Sequence, residues 1–257
     1  MAAEWPQLHD EALQIVSGAR DVDVTLRVVG GAGIRLHCGP LGEAMLRLGR
    51  SAKDLDFIVP KEDRRGMRRY LEARGYLVDR DLLVAMEGSR YSFSHPVTEI
   101  EIDVFVERLA FNHTVEVRER LGGHPTTIQL EDLLLQKLQI VSLTSNDLLD
   151  MIVLIATHPV LAASGTVEDI NADYIAELLA KDWGFHHTAV RNLDRIRDGV
   201  GDAVDLGAEI NRVVQTRVDF LLRTIEDKSK TMSWRIRAKV GERLQWWEDV
   251  DERGATY

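Results

Sequence analysis

Apolar residues recur with two different rhythms along this chain, and the change of rhythm divides it. In the first part the segments are short. Residues 22–29 (VDVTLRVV) are rich in β-branched side chains and end at Gly30-Gly31, and residues 32–38 then have helical composition and stop at Gly39-Pro40. This order predicts a strand, a glycine turn and a short helix. Residues 54–59 (DLDFIV) read as a second strand closed by Pro60, residues 62–74 (EDRRGMRRYLEAR) as a surface helix before Gly75, and residues 76–86 as a further strand with its turn. The clearest alternation runs from Thr98 to Val106. There Ile100, Ile102, Val104 and Val106 share one face, and Glu99, Glu101, Asp103 and Phe105 share the other, which predicts a strand with an acidic side.

From about Leu130 the spacing becomes helical. EDLLLQKLQIV, NDLLDMIVLIA, VEDINADYIAELLA, HTAVRNLDRI and AEINRVVQTRVDFLLRTI all place apolar residues three and four apart. The expected class is therefore α+β, with strands and helices in residues 1–125 and a helical bundle in residues 126–257. The boundary falls in LGGHPTT, and the pattern leaves open whether the two parts fold independently or share a core.

Composition narrows the class of molecule. A chain of 257 residues with 45% hydrophobic content has ample material for a packed core. Apolar stretches such as Met151–Ala156 are far shorter than the roughly 18 residues a membrane-crossing helix needs, and the N-terminus carries Glu4 and Asp10 in place of a basic, apolar leader. The expectation is a soluble cytoplasmic protein with no membrane partner. Cys38 is the only cysteine, so neither an internal disulfide nor a cysteine zinc cluster is expected. A formal net charge of −10 argues against a surface coated for nonspecific nucleic-acid binding, which depends on many cations neutralising phosphates. Local basic patches remain compatible with it.

The candidate chemistry lies in the first part. On a strand, residues two apart point the same way, so Asp54 and Asp56 project together while Leu55 and Phe57 pack behind them. Two neighbouring carboxylates repel each other unless a cation sits between them, and hard oxygen ligands suit Mg²⁺ held together with substrate phosphates. A third carboxylate from a neighbouring strand, which Asp103 would supply in competition with Glu101, completes a site for two metal ions. The Gly30-Gly31 turn lets backbone N–H groups approach a phosphate. Taken singly, a glycine pair after a strand is more often a plain turn, and D-x-D on a strand is as readily a solvated edge. Their order and spacing give the functional reading its weight.

The stretch VVGGAGIRLHCG followed by GRSAKDLDFIV resembles the nucleotidyltransferase signature of the polymerase-β-like superfamily, and especially its AbiEii toxin-related group. EIDVF resembles the strand that carries the third carboxylate there, and LEDLLLQKLQIV with NDLLDMIVLI resembles the helix pair that follows. The resemblance covers about residues 26–155. It implies a nucleotidyltransferase fold, a mixed β-sheet with flanking helices. It also implies an enzyme that moves a nucleoside monophosphate from a nucleoside triphosphate such as ATP to an acceptor, releasing pyrophosphate.

By the same resemblance, Asp54, Asp56 and Asp103 ligate two Mg²⁺ ions, or Mn²⁺ in their place, and Asp103 serves as general base towards the acceptor. Gly30 and Gly31 hold the triphosphate, and Lys137 corresponds to a phosphate-proximal lysine. A snorkelling surface lysine is the alternative reading of Lys137. Arg50, Ser51 and Lys53, just upstream of the aspartate pair, carry side chains suited to phosphate oxygens or to a solvated loop. Ala32 stands where many members carry Ser or Thr, which leaves phosphate binding at the turn to the backbone.

The acceptor implied is an RNA or tRNA end in a toxin–antitoxin setting, with an antitoxin protein as partner. A small hydroxyl compound such as an aminoglycoside, or a protein side chain, is the alternative acceptor, and a non-catalytic nucleotide-binding module is the alternative to an enzyme. The basic stretches at residues 61–74 and 228–247, the latter with Trp234, Trp246 and Trp247, read first as amphipathic helices with tryptophans in the core. RNA contact is their second reading. His37, His186 and His187 read as packing or hydrogen-bonding groups.

Overall fold

The alternation in DLDFIV and EIDVF becomes two adjacent strands. In chain order the first part contains α1 (Trp5–Arg20), β1 (Arg27–Val29), α2 (Gly30–His37), β2 (Asp54–Val59), α3 (Arg64–Ala73), β3 (Leu77–Val78), α4 (Arg80–Ala85), β4 (Arg90–Ser94) and β5 (Glu101–Val106). β2 and β5 pair in parallel, with Asp54 opposite Glu101 and Asp56 opposite Asp103. Such a pair needs a long crossover, and the segment from α3 to β4 supplies it. β4 pairs antiparallel with β5 and β3 with β4, while β1 pairs antiparallel with the other side of β2.

The computed structural model describes residues 5–42, 54–203 and 206–250. Among these residues the strands form a five-stranded mixed sheet in the order β1-β2-β5-β4-β3 with helices flanking it, so the chain is α+β. It divides into two compact units, one of residues up to 109 with 116–129, the other of residues 110–115 with 130 onwards. None of the described helices is long and apolar enough to cross a membrane.

Because side chains alternate across a strand, the sheet of the first unit has a dry face and a polar one. Leu55, Phe57, Ile102, Val104, Tyr91 and Phe93 belong to the dry face and are buried. They join one core with Leu8, Ala12, Ile15, Val16 and Ala19 of α1 and with Met67 and Leu71 of α3. α1 is absent from the elements predicted above, although its buried residues fall at helical spacing. Cys38, just after α2, is also buried, and its Sγ donates to the Ile34 carbonyl at 3.1 Å.

Three predicted strands are shorter in the structure, and of residues 22–29 only Arg27–Val29 forms a strand. Residues 76–86 contain only β3, after which Asp79 turns the chain into α4 by accepting hydrogen bonds from the N–H groups of Asp81 and Leu82 at 2.9 and 3.0 Å. An aspartate N-cap of this kind satisfies otherwise orphaned donors, and it outweighs the strand propensity of the leucines and valine that follow. The alternation from Thr98 begins pairing only at Glu101, because Glu99 takes a left-handed φ of 57° in the turn that leads into β5.

β6 (Arg108–Ala110) and β7 (Thr114–Glu116) form a two-stranded sheet. The second unit is mainly helical: α5 (Leu130–Leu138), α6 (Ser145–Thr157), α7 (Ala172–Leu179), α8 (Trp183–Ala203), α9 (Ala208–Asp227) and α10 (Met232–Val240), with β8 (Val160–Leu161) and β9 (Ile170–Asn171) as a short parallel pair. α5 is buried along its whole length. α6 starts at a capping box, in which the Thr144 hydroxyl accepts from the Asp147 N–H and the Asp147 carboxylate accepts from the Thr144 N–H.

Candidate functional site

The polar face of the sheet gathers the carboxylates singled out in the sequence. The register sets Asp56 directly beside Asp103 on parallel strands, whose backbones lie about 4.8 Å apart. Asp54 is two residues back on β2, so its side chain leaves the same face. All three residues are partly exposed, whereas Leu55 and Ile102 between them and Phe57 beyond Asp56 are buried. A pure row of carboxylates would be self-repelling.

A cation on the same face offsets part of that repulsion. On β4 the register places Ser92 opposite Asp103 and Arg90 opposite Phe105, so Arg90 and Ser92 face the same side as Asp103. The Arg90 guanidinium donates from Nη2 to Asp103 Oδ2 at 2.6 Å and lies 5.1 Å from the centre of the Phe105 ring. Both partners are largely withdrawn from water, with 9% and 13% of the side chain exposed. A charged pair in such surroundings is a charge-assisted hydrogen bond, stronger than a neutral one. Arg90 was missed in the sequence. RYSFS does carry the signal, because Arg90, Ser92 and Ser94 alternate with Tyr91 and Phe93, as a strand with one polar side would.

Gly30 meets this face at the end of β1, where Val29 is paired with Asp56. Its φ is +68°, and a Cβ at this position would stand 2.2 Å from Asp56 Oδ2. The backbone at the start of α2 is thus pressed against the Asp56 carboxylate, an approach open only to glycine. Gly31 follows in the first turn of α2, which Val29 does not cap with a side chain.

Arg50, Ser51 and Lys53 fall outside the described residues. Lys137 belongs to the second unit and is 8% exposed, which corrects the reading of a snorkelling surface lysine. Its Nζ is 2.8 Å from Asp147 Oδ1 and 3.1 Å from Asp150 Oδ2. Burial works to raise the Asp147 pKa, but the Lys137 ammonium and the Thr144 cap prevail and hold it below the usual carboxylate range.

His37 is hydrogen-bonded through Nε2 to the Thr127 hydroxyl at 2.7 Å and packs edge-on against His124. In the second unit His187 stacks on Trp183, His186 meets Trp234 edge-on, and Trp246 donates from Nε1 to the Thr188 hydroxyl at 3.0 Å. These contacts favour packing for the tryptophans near the C-terminus. α3 buries Met67 and Leu71 in the core on the dry face of the sheet, so its arginines lie on the side away from Asp54, Asp56 and Asp103.

The arrangement sets three carboxylates, the kind of hard oxygen donor a divalent cation takes, on one face beside the start of a helix. Comparison with family models, with curated protein sequences and with solved structures gave no match for this chain.

Proposed function

We propose that the chain is a Mg²⁺-dependent nucleotidyltransferase with the fold of the polymerase-β-like superfamily. The observation that carries the reading is the placement of Asp56 beside Asp103 in parallel register, with Asp54 on the same face and the Gly30 backbone against Asp56. This donor set fits the ion, since it consists of hard carboxylate oxygens that need a cation between them. Mn²⁺ satisfies the same donors. Asp54, Asp56 and Asp103 would hold the metal, whose chemistry is to polarise phosphoryl oxygens and neutralise developing charge.

The protein groups then have separate tasks. Backbone N–H groups at Gly30 and Gly31 receive the triphosphate of a donor such as ATP. Arg50, Ser51 and Lys53 are proposed as further phosphate contacts, and Lys137 as a residue of the nucleotide site. Arg90 occupies Asp103 Oδ2, so Oδ1 is the atom available to take the acceptor's proton. The acceptor oxygen forms a bond to the α-phosphorus, the bond from that phosphorus to the bridging oxygen breaks, and pyrophosphate leaves.

The proposed acceptor is an RNA or tRNA end, on the strength of the resemblance to the AbiEii toxin-related group, which also makes an antitoxin protein the proposed partner and the cytoplasm the proposed location. A second reading, transfer to a small hydroxyl compound or a protein side chain, draws support from the position of α3. Its arginines are on the far side of the sheet from the carboxylates, where they do not serve an RNA strand entering the site directly.

The test is transfer of label from each α-labelled nucleoside triphosphate, with Mg²⁺, to tRNA, to an aminoglycoside panel and to protein. Transfer is expected with the wild type and loss of at least ~100-fold with Asp56→Asn or Asp54→Asn. Nucleotide binding without transfer would identify a binding module. Binding indifferent to Mg²⁺ and to both substitutions would refute the metal site.

A further inference from the structure

We infer that Arg90 is a positioning residue for Asp103, fixing the orientation of the third carboxylate and its separation from Asp56. The inference rests on the nucleotidyltransferase reading and adds to it a residue outside the motif. Three strands contribute to one cluster on the polar face: Asp56 from β2, Asp103 from β5 and, reaching diagonally from two residues before Ser92, Arg90 from β4. Asp103 stands between a like charge on one side and an opposite charge on the other. The guanidinium draws Oδ2 towards β4, away from Asp56, so the carboxylate acts through its remaining oxygen.

Two features make Arg90 a fixed support. It is the first residue of β4 and is paired there with Phe105 of the central strand β5, and its guanidinium rests over the Phe105 ring while bonded to Asp103 at 2.6 Å. Burying a guanidinium is costly unless it is paired, and here the partner is the carboxylate that the proposed chemistry needs. Arginine suits the task better than lysine, because a planar fork fixes a carboxylate's orientation and stacks on a ring, whereas an ammonium is a point charge. A purely structural ion pair would also be buried and bonded, so the test must separate support of the fold from support of Asp103.

The experiment measures Mn²⁺ binding by electron paramagnetic resonance, with Mn²⁺ alone as probe, on the full chain and on Arg90→Met, Arg90→Lys, Asp103→Asn and the Arg90→Met/Asp103→Asn double variant. Transfer kinetics are recorded on the same proteins. Arg90→Met is expected to change Mn²⁺ affinity by about tenfold in the wild-type background, as loss of a residue supporting a metal ligand does, and to have no further effect once Asp103 is Asn. The transfer kcat should fall by roughly 10- to 100-fold, with KM for the nucleotide within about twofold. Arg90→Lys should lie between.

An equal effect of Arg90→Met in both backgrounds, or none in either, overturns the inference while leaving the nucleotidyltransferase reading in place. If Arg90→Met fails to fold, Arg90→Lys with and without Asp103→Asn makes the same comparison. A wild-type chain that neither binds Mn²⁺ nor transfers a nucleotide overturns both.

Discussion

At Gly30 a single hydrogen atom in place of a side chain permits the contact between the start of α2 and the Asp56 carboxylate. Gly30→Ala would place a methyl group 2.2 Å from Asp56 Oδ2 at a φ of +68°, and the conformation alone costs about 1–2 kcal/mol for a residue with a Cβ. The substitution is expected to weaken Mg²⁺-dependent nucleotide binding by roughly tenfold or more, with the aspartate displaced. Titration calorimetry alongside thermal unfolding separates that effect from loss of stability. Asp54, Asp56 and Asp103 could be read from alternation because one strand's period decides which side a residue takes. Arg90 could not be paired with Asp103 in the same way, since strand neighbours are chosen by the whole sheet. The Lys137 partners, Asp147 and Asp150, likewise depend on how α5 meets α6.

That meeting sets the stakes for the helical elements. α5 is buried throughout, and Lys137 lies between Asp147 and a fully buried Asp150. Lys137→Met would remove the ammonium that both carboxylates contact, and breaking a buried pair from one side costs about 3–5 kcal/mol. Urea unfolding should show a loss of this size, partly recovered when Asp150→Leu is added. Helices such as α5, α6 and α9 were legible from sequence because their apolar spacing persists over several turns. α1 shows that spacing too, at residues 8, 12, 15, 16 and 19, but it precedes any strand that would give its apolar side a purpose. The misread stretch at residues 76–86 failed for the opposite reason. Its composition suits a strand, and one cap at Asp79 redirects it.

For the molecule as a whole, acid acts on the second unit through histidines that fold in their neutral form. Burial pushes the His113 pKa down to about 4, and burial, aided by Lys230 and His187, pushes His186 down to about 4 as well. An unfolded histidine titrates near 6.5, so between about pH 4 and 6.5 the unfolded chain binds more protons than the folded one. Stability is therefore complete above that window and falls as pH drops through it. Asp147, held below its ordinary range, adds a further loss in stronger acid. Denaturation midpoints measured from pH 7.5 to 4.5 should fall, and less steeply for His113→Gln or His186→Gln.

The solitary thiol gives the first unit a built-in clock. Cys38 is 1% exposed and packed beside α2, so a thiol reagent can reach it only when that part of the unit opens. Its rate of modification then reports the opening free energy. A ligand that binds only the closed form must slow the reaction by the factor by which it stabilises that form. Nucleotide with Mg²⁺ should therefore lengthen the lifetime of the Cys38 thiol, and Asp56→Asn should abolish the delay. The same measurement can rank candidate nucleotides before any acceptor is known.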